Sequence, residues 1–524
     1  MPRGFGVLLA VCVAVGAVDA AAQTFTDPLQ PSPDGDPKKP ARFEKFKNPN
    51  DMAPLGARST FTPPVSGKGT TGFDSSNAKK KKAAKTKPKP GVIGAAAPTA
   101  VSPYQRPQIP PAAADAMAAG PPGTPPYVIG PIETVPKKRK HKDELDPYDP
   151  LGVHAGAFML YPAVELIGGY DTNPQHVPGG KSSSLYTVAP ELKARSDWSR
   201  HELTADLRGS YSYYKDDGTP SLNRPFADGK VKGRVDVTHN TRIDLGGRLL
   251  AGTDNPGSPN LPADISKLPM FTTFGGDAGI THRFNRLDLG VKGTAERTIW
   301  QNSKLVDGST ASNQDRNYDQ YGGAVRAGYE LSPGLVPFVD VGADTRLHDL
   351  ATDFSGYQRN SKGLTAKAGS TFELSRLLTG EFSVGVTKRD YVDTRLQQLK
   401  GIVADASLVW TASALTTVKL TAASTIGEST VPGVSGVFYR DAGLQVDHAL
   451  RRWLIGTVKF GFGLDEYVGD IRKDNRTYVG AGLTYKLNRS VQIKGEFRQD
   501  WLRSNVTGVD YTSSVFLLGL RFAQ

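Results

Sequence analysis

The sequence predicts an all-β fold: a transmembrane, antiparallel, up-and-down β-barrel of about 18 strands (16–18), preceded by a disordered N-terminal segment. Three observations point there. Apolar and polar residues alternate with a period of two, repeatedly, from Leu151 to the end of the chain. Short and long polar connections alternate between the resulting strands. The tryptophans all fall at strand ends.

In chain order, the first element is a leader. MPRGFGVLLAVCVAVGAVDAAAQ carries a basic Arg3, an apolar run from Val7 to Val18 and small residues before Gln23. That is the pattern of a secretory signal peptide over residues 1–22, and the run is too short for a membrane-spanning helix. Cys12, the single cysteine, lies inside it. Val11 stands where a lipidation site needs a small residue. The mature chain therefore offers no disulfide framework and no thiolate chemistry.

Residues 23–150 form the second element, a Pro- and Lys-rich linker. Residues 1–150 hold 21 Lys and Arg against 13 Asp and Glu, whereas the remainder holds 43 against 39. Most of the net charge of +12 thus sits in the tail. Runs such as Lys79-Lys80-Lys81-Lys82 and Lys137-Lys138-Arg139-Lys140, with no sustained amphipathic period, cannot bury enough apolar surface to fold. The basic runs read as a solvated spacer, with cell wall or anionic polysaccharide as the partner they would suit; nucleic acid is not expected in that compartment.

The third element, 151–524, is the barrel. Glu202–Tyr213 sets Leu203, Ala205, Leu207 and Tyr211 against Glu202, Thr204, Asp206, Arg208 and Ser210. Thr416–Ile426 sets Val418, Leu420, Ala422 and Ile426 against Lys419, Thr421 and Thr425. In VQIKGEFRQDW, residues 491–501, Val491, Ile493, Gly495, Phe497 and Trp501 oppose Gln492, Lys494, Glu496, Arg498 and Asp500. Tight turns are expected near Ser199, Asn240, Asn285, Pro333, Leu377, Ser413, Arg451 and Asn488. Longer loops are expected at 171–184, 215–225, 253–268, 301–315, 349–359, 391–399, 427–435, 466–475 and 503–510. A soluble sandwich also alternates, but it has no reason to alternate short and long connections strictly. The strands, of roughly ten to fourteen residues, suit a bilayer when tilted. Both barrel ends fall on the short-turn side, which places the tail in the periplasm.

Trp198, Trp410 and Trp453 flank tight turns, and Trp300 and Trp501 precede long loops, as interfacial girdles would. Phe516, Leu518, Leu520 and Phe522 alternate up to the C-terminus, the signature of a closing outer-membrane strand, which the outer-membrane assembly machinery receives. The apolar parity then meets outer-membrane lipid. The charged parity faces an aqueous lumen, lined by Glu202, Asp206, Arg208, Lys292, Glu296, Lys419, Lys459, Lys494, Glu496, Arg498 and Asp500. Pro162 and Pro190 conflict with strands one and two, because proline cannot donate to the ladder.

Residues 148–174, YDPLGVHAGAFMLYPAVELIGGYDTNP, resemble the entry segment of the Putative beta-barrel porin 2 family. Asp149-Pro150-Leu151-Gly152, Phe158-Met159-Leu160-Tyr161-Pro162 and Tyr170-Asp171-Thr172-Asn173 carry its DP-G, F-x-L-x-P and Y-D-x-N features. The resemblance implies one barrel domain over 151–524 in a bacterial outer membrane. Some members of that family are associated with exopolysaccharide production.

No catalytic or metal constellation is legible. The eight histidines are scattered, and no nucleophile elbow, P-loop or dinucleotide fingerprint occurs. The sequence predicts no cofactor and no enzyme. It predicts a porin-like channel for passive passage of small solutes. The alternatives are an exopolysaccharide export conduit, or a non-conducting structural barrel whose basic tail contacts the cell wall. The solute and the oligomeric state are not legible.

Overall fold

The computed structural model describes residues 148–524, apart from 216–219, 263 and 376. The signal peptide expected over 1–22 and the linker expected over 23–150, up to residue 147, lie outside the described residues. The described chain is a closed antiparallel barrel of eighteen strands. A three-residue strand, Val153–Ala155, folds back on the start of the first barrel strand.

The first six barrel strands are β1 (Phe158–Asp171), β2 (Ser183–Ser196), β3 (Glu202–Tyr214), β4 (Arg224–Asp236), β5 (Thr241–Thr253) and β6 (Met270–Phe284). Next come β7 (Leu287–Trp300), β8 (Tyr318–Tyr329), β9 (Leu335–His348), β10 (Ser361–Ser375), β11 (Leu378–Tyr391) and β12 (Leu399–Ser413). The last are β13 (Thr416–Gly427), β14 (Gly436–Arg451), β15 (Leu454–Val468), β16 (Lys473–Lys486), β17 (Val491–Ser504) and β18 (Tyr511–Ala523). Each pairs with its sequence neighbours, and β18 closes on β1 from Ala163↔Ala523 to Asp171↔Val515. Closure matters because a backbone in lipid must satisfy its polar groups within the protein.

All eight expected tight turns are found, and they form one rim. The other rim carries nine connections, L1–L9: 172–182, 215–223, 254–269, 301–317, 349–360, 392–398, 428–435, 469–472 and 505–510. One expectation is corrected. The segment 466–475 is mostly strand, and L8 has four residues, no more than the turn at 237–240. Its charges made it read as a loop, yet Arg476 pairs with Asp465 (2.7 Å) and Lys473 with Glu466 (2.8 Å) across the ladder, and Arg472 pairs with Asp474 (2.7 Å) two residues along the chain. The strands also run longer than expected, at 12 to 16 residues.

Both prolines sit inside strands without breaking them. Pro162 accepts a hydrogen bond from the Gln524 amide (3.1 Å), so its missing N–H lies on the side where β18 has ended. At Pro190 the β2–β3 ladder skips, running from Val188↔Tyr211 directly to Glu191↔Arg208. Gly209 faces the ring there, and even a β-carbon at 209 would lie 3.5 Å from Pro190 Cγ. The ladder opens where a donor is absent.

The outward parity is apolar and exposed. Leu166, Val188, Val291, Val341, Val386 and Leu518 belong to a belt that runs around the barrel. Phe516, Leu518, Leu520 and Phe522 are all in it, as their alternation predicts. A charge placed mid-belt has no partner and faces hydrocarbon. Leu518→Arg should therefore destabilise the folded barrel by about 2–4 kcal/mol. The check is the temperature at which the compact, heat-modifiable band is lost on SDS gels. Unchanged heat resistance would mean that Leu518 does not face lipid.

Candidate functional site

The candidate site is the inner wall and what folds into it. Inward parity is set by closure: side chains on non-neighbouring strands can meet only on the concave face. Arg326 of β8 reaches Glu381 of β11 (2.6 Å), and Lys459 of β15 reaches Glu496 of β17 (3.0 Å). The charged residues singled out in the sequence share this face, and most are locally neutralised. Lys494 donates to Glu165 (2.6 Å), and Arg498 pairs with Asp500 (2.7 Å). Lys292 pairs with Asp277 (3.1 Å), Lys419 with Asp447 (3.1 Å) and Arg208 with Asp206 (2.8 Å). Glu202 lies 3.6 Å from both Arg195 and Arg234. Glu296 stands on the same face of β7, opposite Gly275. Pairs one step apart along a strand or across a rung compensate charge in place.

The tryptophans divide. Trp198, Trp410 and Trp453 are exposed at the short-turn rim, and Trp501 is on the outward parity near L9. Trp300 is not at an outer interface. It is only 5% exposed and points inward, with Arg316 Cζ 3.3 Å from its ring centroid and Phe271 beside it. The alternation through Thr298, Ile299 and Trp300 leaves Ile299 outside and Trp300 inside. Nearness to a strand end could not distinguish the two faces.

Two bodies of chain enter the lumen from the long-loop rim. The first is built from L2, L3 and L4. Ser221 bridges to Lys267, and Ile265 to Leu305, so single β-bridges tie the three loops to one another. Leu222, Ile265 and Leu268 from these loops pack on Ile167, Leu185, Val515 and Leu517 of the seam wall. L1 is tied to L3 through His176, which shares a hydrogen bond with Asn255 (2.9 Å) and stacks on Tyr511. Burial, helped by Arg224, pushes the His176 ring down to about 4, so it is neutral at neutral pH.

The second body is the tip of the β13–β14 hairpin with L7. Its outer face rests on the inner face of β11 and β12. Phe438 and Ile426, on the outward parity of β14 and β13, pack with Leu399 and Val403, on the inward parity of β12. Gly401 of β12 and Gly436 of β14 make the overlap possible. A β-carbon at 401 would lie 3.2 Å from the Phe438 ring, and one at 436 would lie 2.9 Å from the Tyr391 hydroxyl. The tip is held from across the lumen. Arg346 of β9 donates to the Ile426 carbonyl (3.0 Å) and to Glu428. Arg359 of L5 donates to the carbonyls of Val434 (2.8 Å) and Val431 (3.3 Å) and to Asp353 (2.6 Å). Asn260 of L3 accepts from the Thr430 amide (3.0 Å) and from Ser429 (3.2 Å), which joins the two bodies.

The Putative beta-barrel porin 2 family matches residues 146–524. The chain belongs to this family. The resemblance in residues 148–174 is thus borne out, and the match runs through the whole barrel. The protein is a porin-like outer-membrane β-barrel. No curated protein matches it. Among solved structures it is similar to OccK2 (OpdF) of Pseudomonas aeruginosa, at 14% identity and TM-score 0.36, over 70% of this chain and 97% of that one. It is also similar to OccK1 (OpdK) of the same organism, at 13% identity and TM-score 0.37, over 70% and 99%. A BenF-like porin of Pseudomonas fluorescens Pf-5 aligns at 12% identity and TM-score 0.36, again over 70% and 99%.

The hairpin tip, Arg346 and Arg359 are not legible in the sequence as parts of one site. Their only sequence signal is the short polar loop 428–435 between two apolar strand ends, which resembles any other rim loop. The electrostatics of the tip make a prediction. Burial raises the Glu428 carboxyl, but Arg346, with His348 and Arg389, outweighs it and holds Glu428 below its usual 4.5. A lowered carboxyl contributes stability that is present above the unfolded value and lost as pH falls through the folded one. The Glu428 contribution to docking of the tip should therefore be lost as pH falls below about 4.5. Arg346→Ala should loosen the tip at neutral pH while the barrel stays folded. Hydrogen exchange over residues 426–441 measures both, and unchanged protection in Arg346→Ala would contradict this account.

Proposed function

We propose that this protein passes small solutes passively across the outer membrane, through a lumen lined by the paired charges of its inward parity and narrowed by the docked hairpin tip. The observation that carries this reading is the division of the sheet: an exposed apolar belt outside, and inside a wall whose acids and bases pair locally. Such a wall is polar enough to hold water. It mixes both signs at close quarters, as in Lys494–Glu165 and Arg498–Asp500, so its preference between small anions and cations is weak. No catalytic step is part of this reading, and among the described residues no group of three His, Cys, Asp or Glu is placed to hold a metal ion.

Both ends of the barrel lie at the short-turn rim, which in outer-membrane barrels faces the periplasm. The segment 23–150 then lies in the periplasm, as a spacer whose basic runs suit cell wall or anionic polysaccharide. A second reading has its own support. The L2–L4 cluster and the hairpin tip both occupy the lumen, as they would in a barrel that serves as an anchor or as a closed export conduit.

Planar-bilayer recording of the mature protein under a salt gradient separates these. Discrete current steps with a reversal potential near zero are the expected result. Removal of residues 23–145 should leave those steps unchanged. A folded protein that carries no current would defeat the channel reading and favour the anchor.

A further inference from the structure

The ladder between β12 and β13 stops early. It runs from Ser413↔Thr416 at the short-turn rim to Ala406↔Ala422, and there it ends. Beyond that point β12 still pairs fully with β11, up to Leu399↔Arg389, and β13 with β14, up to Gly427↔Val437. The wall is therefore unzipped over its last five positions, from Asp405/Ala423 to Gly401/Gly427, counted in the register of Ala406↔Ala422. Only Ser424 bridges the gap. Its hydroxyl accepts from the Ala404 amide (3.0 Å) and donates to the Ala404 carbonyl (3.2 Å), in place of ladder bonds. An unpaired strand edge is costly in a membrane wall, and natural barrels avoid it. Here the edge is covered because the hairpin tip has slipped inside and lies against it.

The unzipped residues fit a completed wall just as well. Continued in the same register, the ladder would set Ile402 beside Ile426 on the lipid face. It would set Gly401 beside Gly427, and Val403 beside Thr425, on the inner face. One step further, at the rim, Lys400 would stand opposite Glu428. Several of the contacts that hold the tip in the lumen thus have a counterpart in the wall, while those of Arg359 and Asn260 would be given up. Glu428 exchanges Arg346 for Lys400, the strand edges exchange Arg346 and Ser424 for ladder bonds, and Ile426 exchanges the Leu399–Val403 cluster for lipid.

We propose that the β13–β14 hairpin tip, residues 423–441, is a gate with two seats: docked in the lumen, as seen here, and zipped into the wall against Leu399–Asp405. This rests on the channel reading only for its consequence, a wider lumen when the tip leaves. The exchange itself is a property of the strands. A packed element with two discrete, mutually exclusive partner sets is the kind that switches rather than deforms. A solute or a partner that favours either seat would shift the balance.

The test is a disulfide that only the second seat permits. In the docked structure Ile402 lies on the lipid side of β12, 65% exposed, while Ile426 packs against the inner side of the same strand. Cysteines at 402 and 426 then have β12 between them. In the wall they would be directly opposed, at a distance a disulfide spans. Cys12, in the expected signal peptide, is the chain's single cysteine, so the mature background contributes no thiol. Ile402→Cys/Ile426→Cys should form the bond in the folded barrel under mild oxidant, and faster when Phe438→Ala weakens the docked seat. The oxidised protein should show conductance steps larger by about two-fold or more, reversed by reductant. No disulfide in a folded barrel, with or without Phe438→Ala, overturns the proposal. A disulfide formed with unchanged conductance in a conducting protein also overturns it as a gate. A reversible disulfide in a protein that never conducts sinks the channel reading and leaves the two-seat exchange standing.

Discussion

Everything in this molecule depends on closing the sheet. Hydrocarbon offers no hydrogen bonds, so strands that cross it must find all their partners in one another, and a ring is the arrangement that leaves no edge. The join is between the first and last strands, and it is reinforced on the inside. Lys494 is bonded to Glu165 and Arg521 to Glu191 (2.7 Å), with Lys193 also on Glu191 (3.1 Å). Glu165, Glu191 and Arg521 are all buried. Buried ion pairs of this kind add little net stability, because desolvation offsets their attraction. Their effect is positional: a one-residue slip of β18 on β1 would leave these charges unpaired and turn the apolar parity inward.

Closure also fixes what each face does. With parity locked around the ring, the same alternation that exposes Leu518 and Leu520 turns Arg521 and Leu517 inward. The inner wall then has charges that must be compensated, and most are, within a strand or across a rung. The loops exploit the exceptions. Where the seam wall shows apolar residues, at Ile167, Leu185, Val515 and Leu517, the L2–L4 cluster docks on them. Where β12 shows Leu399 and Val403, the β13–β14 tip docks. Apolar patches on an otherwise polar inner wall mark where chain enters the lumen.

The β12–β13 ladder is open over five positions, and the opening coincides with a hairpin tip that turns into the lumen. The two facts have one cause. A hairpin tip cannot pack inside the barrel while its leading strand stays zipped to the wall. The position of the tip and the gap in the wall are the same choice, made by the competition between ladder bonds on one side and Arg346, Arg359 and the Phe438 cluster on the other.

The fold was legible in the sequence because it is carried by local, periodic features. Alternation sets which residues share a face, turn residues set where strands reverse, and the count of connections sets the strand number. All eight turns and the closing strand Phe516–Phe522 could be read this way. The L8 segment could not, since a run such as Asp465-Glu466 to Arg476 looks like a loop until its charges find one another across two strands. Trp300 could not either, because proximity to a strand end says nothing about which side a ring takes. The inward face of Lys494, Glu496 and Arg498 was readable from their parity, but their partners were not. Glu165 lies some three hundred residues away in sequence, and only closure brings it beside Lys494. The same holds for the hairpin tip. Sequence alone determined that 428–435 connects two strands. That the connection turns into the lumen was decided by Arg346 on a strand four places round the ring, a contact that exists only once the ring is complete.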